Sequence, residues 1–322
     1  MVSKTIAIMI SAVLVVSCAG VAYILLQEDD SSIGAFYVTD GRGKEIAFNE
    51  PAQKAATMGV SFTTTLIALE KLDSIVLMDT YSKTSSSGIP EIASYPDSMF
   101  TSSSATNVSV LAQTLLNTDG FNKDRDILIM YNYASMAGSW EILEKTYGLK
   151  VAAFYPQSYD AAIEMVSAVG KIMGADEKAE KITEDMNDAK TSYLDALGTT
   201  TKKKAMYVSY SSGNYSAGNA ASFTAILMGM AGAVNSAEDS SKTGTTYVIN
   251  AGDILQIESI KGLDIVFVDG YYTGSVADFK SHFGLGASVE VVLLTKLMNQ
   301  YGPTALDGIE YMANAMYPTV FP

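Results

Sequence analysis

The chain has 322 residues, 48% of them hydrophobic, and at ~150 residues per domain it holds apolar material for about two domains. Lys and Arg number 21 against 35 Asp and Glu, a formal charge of -14, which excludes the basic surface a nucleic-acid partner requires. One Cys and one His, His282, exclude an intrachain disulfide and a multi-histidine metal site, leaving hydroxyls, amides, carboxylates and 19 tyrosines as the polar chemistry.

Lys4 is followed by an uncharged apolar stretch, Thr5 to Leu26, and then by Gln27-Glu28-Asp29-Asp30. Its 22 residues make about 33 Å of helix, enough for a hydrocarbon core of ~30 Å. The charge asymmetry puts Lys4 inside and the folded part on the outer face of the cytoplasmic membrane. Val15-Val16-Ser17-Cys18 also has the small-residue-then-Cys form of a lipoprotein signal, yet the apolar run continues for eight residues past Cys18. Residues 1–30 are therefore expected to be an uncleaved anchor spanning 5–26, with lipidation of Cys18 as the alternative.

Phe36 to Phe48 reads as a hairpin about a Gly-rich turn. Ala55 to Val60 reads as a buried strand, Ser61 to Thr65 as a Ser/Thr loop, and Leu66, Leu69 and Leu72 as the apolar face of a helix. Ser74 to Met78 is a second strand, and Ser82 to Ser109 a long surface loop within the same unit. Ile127 to Met130 is a strand leading into Tyr131 and Tyr133. A helix over Ser139 to Tyr147 and a strand over Val151 to Phe154 complete a first lobe, residues 33–157. Residues 158–200 hold two helices, Asp160 to Met173 and a longer one capped by Asp176 and running to about Leu197, whose narrow apolar stripe suits a rod between lobes.

The second lobe, residues 201–322, repeats the first in outline. It has a strand over Ala205 to Tyr210, a Gly/Ser/Asn loop over Ser211 to Ser222, a helix over Phe223 to Met230 and a strand over Ile265 to Val268, preceded by Asp264 as Ile127 is by Asp126. Thr304 to Met316 closes the chain as a helix stopped before Pro318. The expected fold is α/β: two Rossmann-like lobes joined by a single long helix, behind an N-terminal membrane anchor.

Ligands of open α/β sheets bind beyond the carboxyl ends of the strands. The loops there carry Ser61, Phe62, Tyr81, Tyr131, Tyr133, Tyr210, Tyr215, Tyr271 and Tyr272, the expected ligand-binding set, in a cleft read as nearly uncharged. Such a surface suits a bulky, partly apolar ligand held by stacking and hydrogen bonds better than a bare anion. Neither G-x-x-x-x-G-K-[ST] nor G-x-G-x-x-G is present, so nucleotide chemistry has no support. His282 reads as a surface or half-buried histidine and Trp140 as packing. No nucleophile, base or metal constellation stands out, so neither an enzyme nor a cofactor is expected.

Over residues 36–320 the chain resembles the substrate-binding proteins of ABC importers with a rigid helical linker, receptors for cobalamin, ferric siderophores, haem or metal ions. Thr39-Asp40-Gly41-Arg42-Gly43-Lys44-Glu45-Ile46 is similar to the opening hairpin of that family. Ala55 to Leu72 resembles its first strand, Ser/Thr loop and helix, with Glu70-Lys71-Leu72 where a glycine usually lies. Ala231-Gly232-Ala233-Val234-Asn235 and Gly308 to Pro318 resemble its second-lobe segment and closing helix. The resemblance implies a monomer that captures a chelate and delivers it to a permease and its ATPase, gripping the permease through one acid on each lobe. On the second lobe Asp253 matches the usual Glu. On the first, Asn107-Val108 is followed by Ser109 instead of an acid, which shifts that role to Glu91 or Asp97. Zinc- and manganese-binding members carry several histidines and binders of anionic siderophores tend to use Arg, so a corrinoid, haem or other neutral to cationic iron chelate is implied. An anchored surface sensor or adhesion protein that keeps the fold without transport is the alternative.

Overall fold

The computed structural model describes residues 35–83, 89–101, 108–136 and 138–321, so Thr5 to Leu26 and Cys18 lie outside the described residues. Among the described residues no helix is long and apolar enough to cross a membrane.

Strands β1 (Phe36–Thr39) and β2 (Glu45–Phe48) form the expected hairpin. The buried Asp40 carboxylate accepts hydrogen bonds from Arg42 N, Arg42 Nε and Ala153 N, clamping the turn to the first lobe. That lobe is a parallel sheet of β3 (Ala55–Met58), β4 (Ile75–Asp79), β5 (Phe100–Thr101), β6 (Ile127–Tyr131) and β7 (Val151–Phe154), in the order β5-β4-β3-β6-β7. Its central strands are apolar runs because both faces are covered. Helix α1 (Val60–Ala68) packs on one face, and α2 (Val108–Leu116) with α3 (Ser139–Lys145) on the other.

Two expectations about this lobe change. Ser61 to Thr65 belong to α1 and are not a loop: extended Gly59 precedes the first turn, and Thr64 and Thr65 hydroxyls donate to the Val60 and Ser61 carbonyls inside it. The stretch 82–109 is no plain surface loop either, since it contributes strand β5 and buries Ile89 and Ile92.

The second lobe contains β8 (Lys204–Ser211), β9 (Asn214–Gly218), β10 (Val234–Asn235), β11 (Thr246–Val248), β12 (Ile265–Val268) and β13 (Glu290–Leu293). The order is β11-β9-β8-β12-β13, with β10 also beside β8. The stretch 211–222 is thus no open loop. Ser212 and Gly213, with φ of 49° and 87°, make a two-residue reversal that pairs β9 antiparallel with β8. The acid before the central strand acts alike in the two lobes. Asp126 Oδ1 accepts from Lys54 N, and Asp264 Oδ2 from Lys204 N, each locking the start of the neighbouring strand.

Helices α6 (Phe223–Met230) and α9 (Thr304–Met316) cover the inner face of the second sheet, and α7 (Ala251–Lys261) and α8 (Val276–Phe283) the outer face. Between the lobes, α4 (Tyr159–Ile172) and α5 (Asp176–Leu197) form a helical hairpin that reverses at Gly174, φ 59°. Ser158 caps α4, whereas α5 starts after Ala175 without a side-chain cap, so Asp176 is its first residue and not its cap. The connection is not one rod: α4 touches α1 and α6, and α5 touches α6 and α9. A single apolar core, including Phe62, Met165, Leu227 and Ile309, runs through both lobes and this hairpin.

Candidate functional site

The carboxyl ends of the two sheets face each other over a cavity of about 330 Å³. Val60, Asp79, Tyr81, Tyr131 and Tyr133 wall it from the first lobe; Tyr271, Asn299, Gln300 and Tyr301 from the second. Local sequence explains the walls. β4 ends at Asp79, β6 at Tyr131, and the turn after β12 carries Asp269 to Tyr271. Gly59 makes room for the Tyr131 ring, because a Cβ there would lie 2.3 Å from a ring carbon. Ser61, at the start of α1, ties the lobes together: its hydroxyl accepts from Tyr131 Oη (2.9 Å) and Tyr301 N (3.1 Å) and donates to Gln300 Oε1 (3.3 Å).

Aromatic rings continue across the cavity floor. Tyr131 stacks on Tyr133 with centroids 4.8 Å apart, Tyr155 meets Tyr133 edge-on at 4.7 Å, and Phe223 meets Tyr301 at 4.8 Å. Beyond Asn299 and Tyr301 lies a side pocket of about 180 Å³ bordered by Tyr155, Tyr207, Ser209 and Thr224. Asn299 Nδ2 donates to Tyr207 Oη, while its buried Oδ1 has no partner among the described residues.

The electrostatics are set by burial. Asp79, 2% exposed, is pushed up to about 6 by desolvation, against hydrogen bonds from Ser82 that favour the charged form. Behind it runs a buried hydroxyl chain, Thr57 to Thr63 (2.7 Å), Thr63 to Ser82 (2.9 Å) and Ser82 to Asp79 Oδ1 (2.5 Å). Desolvation also raises Tyr131 and Tyr133 and pushes Tyr301 up to about 12, so these phenols are neutral near pH 7. On the second lobe Asp269, likewise raised by burial, accepts from Tyr207 Oη (2.9 Å) and Tyr271 N (2.8 Å) and so holds the Tyr271 turn in place. Lys296 sits 5.2 Å from the Tyr271 ring centroid.

Of the residues expected from sequence, Ser61, Tyr81, Tyr131, Tyr133 and Tyr271 converge here. Phe62 is fully buried beneath them against Tyr131 and does not face the cavity. Tyr210, Tyr215 and Tyr272 do not join them. The β8–β9 hairpin pairs Tyr210 with Tyr215, and they pack with Tyr272, Phe279 and His282 on the outer layer of the second lobe. The cleft is also not uncharged, since Asp79 borders it and Asp269 stands just behind. Asp79 and the segment 296–302 are additions that the sequence pattern does not single out, while Asp269 lies in the same strand-end loop as the expected Tyr271 and Tyr272; the signal for both acids is a carboxylate at the end of an apolar strand.

Both arginines are spent elsewhere, Arg42 on Asp40 and Glu144 and Arg125 on Asp126. Asp253 is the third residue of α7 and accepts from Asn250 N at 2.8 Å in a capping box. Ser109, Glu91 and Asp97 are exposed, with Asp97 paired to Lys83. Among the described residues no three His, Cys, Asp or Glu side chains come together as a metal site.

No protein-family model matches the chain, and no curated protein matches it by sequence. Solved structures do. The nickel–histidine complex of Helicobacter pylori CeuE aligns at 19% identity and TM-score 0.69 over 89% of this chain and 90% of that one. A periplasmic heme-binding protein from Pseudomonas aeruginosa aligns at 17% identity and TM-score 0.64 over 83% and 93%. The Haemophilus influenzae molybdate-binding protein MolA aligns at 14% and 0.68 over 89% and 92%.

Proposed function

From the fold it shares with the helical-linker class of ABC-transporter substrate-binding proteins, we propose that this chain is the extracytoplasmic capture component of an ABC importer. It takes a corrinoid or an iron chelate, siderophore or haem, into the interlobe cavity and hands it to a permease and its ATPase. The observation that carries this reading is the convergence of tyrosines from both lobes on one cavity, joined through Ser61. Neutral phenols stack on a broad ligand and donate hydrogen bonds to it, but do not displace a chelator from its metal. A preformed chelate therefore suits these walls better than a bare ion.

In this reading residues 5–26 hold the protein, as a monomer, on the outer face of the cytoplasmic membrane, with lipidated Cys18 as the other means of attachment. Asp253 docks the second lobe on the permease, and exposed Glu91 or Asp97 takes the role absent at Ser109. A sensor or adhesion protein without transport is the second reading, favoured by Ser109 and by the commitment of one Asp253 oxygen to the α7 cap. Asp253→Asn preserves an oxygen for that cap and removes the charge. Transport predicts slower chelate uptake by cells with unchanged binding by the purified protein; unchanged uptake supports the sensor.

A further inference from the structure

We propose that the interlobe cavity selects a ligand that presents a positive charge to it, and that Asp79 is the residue that reads this charge. The inference rests on the cavity being the ligand site and goes further by fixing the sign of the ligand's charge. Among the described residues Asp79 is the sole charged side chain bordering the cavity, where it stands among the rings of Tyr81, Tyr131, Tyr133, Tyr271 and Tyr301. A tyrosine face attracts a cation through its quadrupole and repels an anion, so rings and carboxylate act in the same direction.

The carboxylate is also held ready from the protein side. Ser82 N and Oγ both donate to its Oδ1, and the Thr57–Thr63–Ser82 hydroxyls line up behind them. Asp79 belongs to none of the ion pairs among the described residues; Lys83, the nearest lysine in sequence, is paired with Asp97. Lys296, beside Asp269, lies over the Tyr271 ring and is not among the residues bordering the cavity. A buried carboxylate without a countercharge is costly to a fold, and a cationic ligand supplies the missing partner.

A ferric chelate bearing an ammonium and a small organic cation share this chemistry, and their sources are separable. Isothermal titration calorimetry on the purified protein would use ferrioxamine B, a ferric trihydroxamate with one free ammonium, its N-acetylated neutral form, and tetramethylammonium. The expected result is at least tenfold tighter binding of ferrioxamine B than of the acetylated chelate, with the preference abolished in Asp79→Asn while the variant still melts cooperatively. Tetramethylammonium binding that Asp79→Asn abolishes, with neither chelate bound, would uphold charge reading and overturn capture of ferric trihydroxamates. Equal affinity for the two chelates, or a preference that survives Asp79→Asn, would overturn charge reading and leave chelate capture standing. Failure of all three probes to bind would overturn charge reading, and chelate capture would then be decided by titration with cyanocobalamin and haem.

Discussion

Asp79→Asn tests the physics of the site before any ligand is known. The folded protein holds this carboxyl at about 6 against an ordinary 3.8, because it is desolvated. A shift of that size corresponds to about 3 kcal/mol between its protonation states. A raised carboxyl favours the folded state only while protonated, so its contribution is present below pH 3.8 and is lost as pH rises through about 6. At pH 7.5 the wild type therefore bears the full cost of burying the charge. Asn keeps an acceptor for Ser82 and carries no charge, so it should be more stable than wild type by about 2–3 kcal/mol at pH 7.5 and nearly equal to it at pH 3.5. Urea unfolding of both proteins at the two pH values reads this out, and comparing their difference cancels the titration of the other carboxylates. An Asn variant that is less stable at pH 7.5, or an advantage that is the same at both pH values, would refute the reasoning.

Other outcomes follow from single contacts. Glu70 adopts φ 59°, a left-handed conformation that disfavours side chains, and its ion pair with Lys178 is exposed; Glu70→Gly should raise stability by about 1 kcal/mol in urea unfolding. Arg42→Ala strands the buried Asp40 carboxylate and removes the bond to Glu144, so it should cost about 3 kcal/mol by the same measurement. Tyr133→Ala removes a cavity wall and should weaken ligand binding about tenfold, or ~1.4 kcal/mol by calorimetry, whereas Tyr215→Ala, in the outer cluster, should change it less than twofold.

The lobes are legible in the sequence because buried parallel strands are uninterrupted apolar runs and their helices carry a regular apolar face, as Ile127–Tyr131 and Thr304–Met316 do. The start of α1 reads wrongly as a loop because Ser and Thr favour loops in isolation; here their hydroxyls bond back into the helix. The β8–β9 hairpin is hidden by a Gly/Ser/Asn composition that marks a loop and a tight turn equally, and without it Tyr210 and Tyr215 are misplaced. Four of the nine residues bordering the cavity, Tyr81, Tyr131, Tyr133 and Tyr271, are strand-end tyrosines, visible as a pattern. Asn299, Gln300 and Tyr301 are not visible in this way, since they enter from a segment distant in sequence whose position depends on Gly302 approaching Thr65 and on the Tyr301 N to Ser61 bond. Asp79 escapes notice because an acid at the end of a strand reads as solvent-facing, whereas here it is 2% exposed and held by Ser82 N and Oγ.

The tyrosine-walled cavity between the lobes is proposed as a chelate-capture site. Its most direct test is calorimetric titration of the purified protein and its Tyr131→Ala/Tyr133→Ala variant with cyanocobalamin, haem and ferric trihydroxamates. Capture at this cavity predicts a dissociation constant below ~10 μM, about -7 kcal/mol, for at least one of them, weakened tenfold or more in the variant. Binding of none, or binding that the variant leaves unchanged, would contradict it.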